Sequence, residues 1–226
     1  MTWRLAIFDF DGTLADSAGW LMRELNRVAE RFGFRQVSEA EIAMLRGYDN
    51  RAIIRYLGVP GWKLPFIARH LRRRIAEDAA AIPLFPGTPG LLHGLAARGV
   101  TLAVVTSNAE ANVRRILGPD CAGLIGCYAC GAAIFGKAPK FRRVLRRLGV
   151  PREAAISIGD EVRDIEAAKR AGLASAAVTW GYATAPLLQR HCPTLLFDSM
   201  EGLLRGLTDG LPTSRVPPGS PPDRPG

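Results

Sequence analysis

Short apolar runs bounded by polar or glycine-containing turns recur along the chain: Leu5–Phe8, Leu102–Val105, Ala154–Ile158 and Ala174–Thr179, with a weaker run at Leu195–Phe197. Each has the length of a strand, and near-continuous apolar character is what a parallel strand covered on both faces requires. Between the runs, apolar residues recur at helical spacing over Leu91–Ala97, Ala111–Leu117, Phe141–Leu148 and Ile165–Ala171. The alternation predicts an α/β fold, a doubly wound parallel-sheet (Rossmann-like) core. Ligands of such sheets sit beyond the carboxyl ends of the strands, so chemistry is expected there.

The pattern changes after the first run. Trp20, Leu21, Leu25, Val28, Ala29 and Phe32 recur at helical spacing, as do Ile53, Ile54 and Leu57, and Phe66–Ala81 is helix-like throughout. No strand pattern interrupts them, which predicts a small helical domain over 17–84 inserted into a core made of 1–16 and 85–211. Asp16-Ser17 supplies a helix N-cap signal at its start, and Pro83, Pro86, Gly87 and Pro89 mark the return. Residues 212–226 are rich in Pro, Gly and Ser and are predicted to be a disordered tail, because they cannot bury enough surface to offset their ordering entropy.

Composition narrows the classes. With 48% hydrophobic and 23% charged residues the chain is globular rather than mainly disordered. Its 226 residues are enough to bury a core without disulfides or metal. The formal charge of +9 invites a nucleic-acid reading. However, Arg142-Arg143 and Arg146-Arg147 repeat at i and i+4 around Val144, Leu145 and Leu148, as a solvated helix face does. No nucleic-acid motif accompanies the arginines of this face or of Arg72-Arg73-Arg74, so no nucleic-acid partner is expected. No apolar run is long enough to span a membrane or to act as a signal peptide, which predicts a cytoplasmic protein without a membrane partner, a monomer or homodimer. Cys121, Cys127, Cys130 and Cys192 contain one C-x-x-C, half of what a structural zinc site needs, and are expected to be reduced thiols.

The first strand ends in Asp9-Phe10-Asp11-Gly12-Thr13, two carboxylates two residues apart before a glycine turn. Gly159-Asp160-Glu161-Val162-Arg163-Asp164 places a second pair at a later strand end, Thr106-Ser107-Asn108 adds a hydroxyl, and Lys137 lies in the loop before a helix. Four carboxylates converging on one rim raise one another's pKa unless a hard cation resolves them. Mg²⁺ is held by such groups together with phosphate oxygens, and a lysine is a point charge for a phosphate. The set therefore points to phosphoryl transfer with Mg²⁺.

This ordered set resembles the haloacid-dehalogenase-like superfamily of phosphatases over about residues 4–207. The insert after the first motif looks like the helical C1-type cap of the phosphoglycolate-phosphatase and β-phosphoglucomutase branch. The resemblance implies Asp9 as the nucleophile forming an aspartyl-phosphate and Asp11 as general acid, then base. Thr106 and Lys137, with Ser107 and Asn108, would bind the phosphoryl group. Asp160, with Asp9, the Asp11 carbonyl and Asp164, would bind Mg²⁺. It implies a small phosphorylated substrate, phosphoglycolate-like or a sugar phosphate, with Arg46 and Arg51 of the cap as substrate-binding residues whose guanidinium fork suits a carboxylate. Ala138 before Pro139, where many relatives have Pro directly after the lysine, and Glu161 in place of Ser depart from the pattern without touching a core position. Asp11 speaks against dehalogenation, and Lys63 is the only cap lysine for phosphonatase chemistry. A sugar phosphomutase shares every core residue, and an idle scaffold used for binding is the alternative of another class.

Overall fold

The computed structural model describes residues 3–131 and 136–209; the expected tail at 212–226 lies outside them. Strand β1 (Leu5–Phe8) is followed by α1 (Ala18–Phe32), α2 (Glu39–Leu45), α3 (Asn50–Tyr56) and α4 (Leu64–Asp78). Helix α5 (Thr88–Ala97) then leads to β2 (Thr101–Val105), α6 (Glu110–Leu124) and β3 (Ile125–Ala129). The chain continues through α7 (Ala138–Leu148), β4 (Ala155–Gly159), α8 (Val162–Ala171), β5 (Ala174–Val178), α9 (Ala185–Arg190), β6 (Leu195–Phe197) and α10 (Met200–Thr208).

The six strands form one parallel sheet in the order β3-β2-β1-β4-β5-β6. Strand alternation sends Ala6 and Phe8 of β1 to a core with Leu92, Val113 and Leu203 of α5, α6 and α10. Leu5 and Ile7 face Phe141, Val144 and Ala168 of α7 and α8. The α/β expectation thus holds, with both faces of the sheet covered. The connection after β3 crosses back to the other side of β1, so the carboxyl ends of β1 and β4 flank the switch point where such sheets bind ligands.

One strand was not expected. The β3 segment Ile-Gly-Cys-Tyr-Ala follows α6 directly, pairs with β2 alone at the sheet edge and is only partly buried, so it shows no apolar run. It contains the C-x-x-C. On a strand, residues three apart point to opposite faces. Cys127 accordingly packs with Phe141 while Cys130 packs against the other core, and all four cysteines are free thiols.

Helices α1 to α4 all fall within 17–84. A capping box of Ser38 and Glu41 starts α2, and Asp49 caps α3. Val37, Leu45 and Leu57 form their own cluster, apart from the cores of the sheet. Buried Glu24 joins α1 to α4 by accepting from Arg74 at 3.1 Å, and Trp20 Nε1 donates to Asp78 at 2.9 Å. The exit and return of this segment lie side by side: Asp16 N donates to the Pro83 carbonyl and Phe85 N to that of Leu14.

Candidate active site

Asp9 follows the last residue of β1, and its backbone N–H donates to the Ile158 carbonyl of β4, which sets it beside Asp160. Gly12 takes a φ of +79°, a conformation that favours glycine, and so turns the chain. Gly159 closes β4, and Asp164 lies in the first turn of α8, where its side chain accepts from Glu161 N at 3.2 Å. Asp9, Asp160 and Asp164 are all buried and bring carboxylate oxygens within 4.8 Å of one another.

Lys137 stands between two of them, with Nζ 2.6 Å from Asp9 Oδ2 and 2.5 Å from Asp164 Oδ1. Asp9 Oδ1 accepts from Phe10 N at 2.7 Å, while Oδ2 has the ion pair but no aligned hydrogen bond. Asp160 is held by Thr13 Oγ1 and by the backbone N–H of Tyr182, both at 2.8 Å. Asp11 accepts from Asn108 Nδ2 at 3.2 Å.

Burial dominates the titration of the cluster. It raises Asp164 to about 6, with Lys137 pulling the other way, and lifts Asp160 well above the ordinary carboxylate range, helped by Glu161, Asp9 and Asp164. Asp11 is raised to about 6 by burial and by Asp9. Burial also opposes the charge of Lys137, but Asp164 and Asp9 outweigh it and hold the ammonium above its usual value. Three buried carboxylates with one full ammonium between them form a hard oxygen-donor set short of positive charge. That is the chemistry of a divalent-cation site, and Asp9, Asp160 and Asp164 are the residues that fit one.

Thr106 is buried at the end of β2, and its hydroxyl accepts from Asn108 N at 3.1 Å. Ser107 between them is exposed. Arg46, in the turn after α2, donates to the carbonyls of Tyr182 at 3.1 Å and Gly181 at 3.0 Å. Arg51 is exposed on α3 and is not brought to the cavity beside the carboxylates, whereas Arg46 lines it. Ser17 precedes α1 as expected, but its side chain makes no cap; its hydroxyl pairs with that of Tyr182 at 2.7 Å.

Several neighbours complete the site. Gly181-Tyr182 follows β5, and a Cβ at Gly181 would overlap the Asp160 side chain and the Gly12 carbonyl, so only glycine allows this approach. Lys140 Nζ donates to the carbonyls of Thr106 at 2.8 Å and Gly131 at 2.5 Å, tying the ends of β2 and β3 together. Glu161, visible in the sequence only as a departure from pattern, pairs with Arg163 and accepts from Asn50 of α3 at 2.9 Å. Apart from the local Glu161–Arg163 pair, these contacts join separate elements, so local spacing does not announce them.

The family model of the haloacid dehalogenase-like hydrolases matches residues 6–178. The phosphoglycolate phosphatase of Synechococcus elongatus is 33% identical over 89% of this chain and 96% of its own. That of Agrobacterium fabrum is 30% identical over 92% and 93%. A haloacid dehalogenase-like hydrolase of Streptococcus pneumoniae superposes with a TM-score of 0.74 at 20% identity, covering 89% of this chain and 97% of its own. With the family model matching most of its length around the carboxylate cluster, this chain belongs to the haloacid dehalogenase-like hydrolases.

Proposed function

We propose that this hydrolase is a Mg²⁺-dependent phosphatase that cleaves a small phosphomonoester through a covalent intermediate on Asp9. The observation that carries the reading is the pairing of Asp9, whose Oδ2 is oriented by Lys137, with an Asp11 raised to about 6. In the first half-reaction Asp9 Oδ2 bonds to phosphorus as the bond to the leaving oxygen breaks, and Asp11 gives that oxygen its proton. In the second, Asp11 takes a proton from water, whose oxygen bonds to phosphorus and frees Asp9 and inorganic phosphate. A carboxyl that titrates near 6 can hold the proton in one step and recover it in the other. Thr106, Ser107, Asn108 and Lys137 are assigned to the phosphoryl oxygens, and Arg46 to holding the turn after α2 against the loop after β5. A divalent cation bound by Asp9, Asp160 and Asp164 supplies charge neutralisation at those oxygens.

The helical segment 17–84 acts in this reading as a cap domain on the core, hinged at its paired exit and return strands. Phosphoglycolate, named in the relatives, and sugar phosphates are the reference substrates; a phosphomutase would return a transferred phosphoryl group instead of free phosphate. The test is phosphate release from 4-nitrophenyl phosphate with Mg²⁺ and after chelation. Activity is expected to vanish on chelation and in Asp9→Asn, and to fall ~10²–10⁴-fold in Asp11→Asn. Phosphoenzyme formation by Asp9→Asn would refute the assignment.

A further inference from the structure

A cavity of about 360 Å³ runs from the carboxylates into the helical segment. Asp11, Ser17, Asn50, Ser107, Asn108 and Glu161 give it a polar part of its lining. Each of the four helices then contributes apolar lining: Trp20 and Leu25 from α1, Leu45 from α2, Ile53 from α3 and Leu71 from α4. Two of the three lining arginines are already engaged, Arg46 with the carbonyls of Gly181 and Tyr182 and Arg163 with Glu161. Only Arg72 has no side-chain partner among the described residues.

We propose that the leaving group of the native substrate is a bulky, predominantly apolar alcohol that enters this cavity while its phosphoryl group stays at Asp9. The proposal rests on the phosphomonoesterase reading above. Volume and chemistry support it together. Cavities of this size enclose whole small molecules, and a two-carbon acid occupies a minor part of one. A sugar would carry several hydroxyls past Trp20, Leu25 and Ile53, which offer no partners except the one indole N–H, already donated to Asp78; each unpaired hydroxyl opposes binding. An apolar alcohol instead gains from every methylene it buries. The entry route is the one the reaction needs, since the same cavity reaches the proton donor, Asp11, of the leaving oxygen.

The test uses the whole protein with Mg²⁺ and two parallel series. The first measures kcat/KM for n-alkyl phosphates from ethyl to octyl, 2-naphthyl phosphate, phosphoglycolate and glucose 6-phosphate. The second measures calorimetric affinity for the matching n-alkylphosphonates, which cannot be hydrolysed. Both are expected to climb about fourfold per methylene until the cavity is full, with naphthyl phosphate above phosphoglycolate and glucose 6-phosphate. Ile53→Trp and, independently, Leu25→Trp should stop the climb at a shorter chain. A flat or falling alkyl series, or phosphoglycolate as the best substrate, overturns the proposal. If no ester turns over while phosphonate affinity still climbs, the phosphatase reading falls and the preference of the cavity stands; turnover without either climb gives the reverse.

Discussion

Replacing Lys137 by methionine keeps an unbranched stem and removes the charge that sits 2.6 Å from Asp9 Oδ2 and 2.5 Å from Asp164 Oδ1. Both partners are buried, as is Asp160 beside them. Removing one member of a buried ion pair costs ~3–5 kcal/mol, because the remaining charge is left uncompensated. For a chain of this size that is a fall in Tm of about 6–20 °C. The loss is expected in full at pH 8 with chelator present, above the range in which Asp164 of the parent titrates and with no cation to replace the ammonium. It should shrink at pH 5. The carboxyl of Asp164 already titrates at about 6, above its ordinary 3.8, through burial. A carboxyl whose folded pKa is raised binds its proton more tightly in the folded state. Its stability penalty therefore grows as pH rises from about 4 through 6 and is relieved on acidification; without Lys137 the pKa moves further up. Added Mg²⁺ should restore part of the loss at pH 8. Thermal denaturation of both proteins at the two pH values measures this directly. A gap under ~1 kcal/mol at pH 8, or the same gap at both pH values, would refute the view that Lys137 compensates a buried anionic cluster.

Two further outcomes test the frame around the site. Glu24 is buried between Arg74 and Arg27, and the hydrogen bond from Arg74 foremost holds its carboxyl below 4.5. Its stabilisation is present above pH 4.5 and is lost as pH falls through the lower folded value, so Glu24→Gln should lower Tm at pH 7 by a margin that narrows as pH is taken down below 4.5. Gly181→Ala forces a methyl against Asp160 and a backbone carbonyl. A cost of ~1–3 kcal/mol and weaker Mg²⁺ binding are expected by denaturation and calorimetry; parental values in both would show that the loop has room to yield.

The carboxylate cluster of this protein is legible in one dimension because its parts are short and local. Asp9 and Asp11 end an apolar run, Asp160 and Asp164 follow another, and parallel strands between covering helices leave only one rim for their carboxyl ends. Strand β3 was hidden because an edge strand of Gly, Cys and Tyr, buried only in part, needs no apolar run. The roles of Ser17, Lys140 and Glu161 were hidden for a different reason. Each acts through a partner on another loop or in the helical segment, as Ser17 does with Tyr182 across 165 residues. Arg46 and Arg51 looked equivalent as sequence, two cations five residues apart. Only the packing of α2 and α3 on the core separates them, turning one to the carbonyls of Gly181 and Tyr182 and the other to solvent. The chemistry lies with residue types at strand ends and can be read from the chain. The shape and polarity of the space that receives a substrate are set by four helices packed over those ends, and tertiary structure alone decides them, since no single helix encloses a volume.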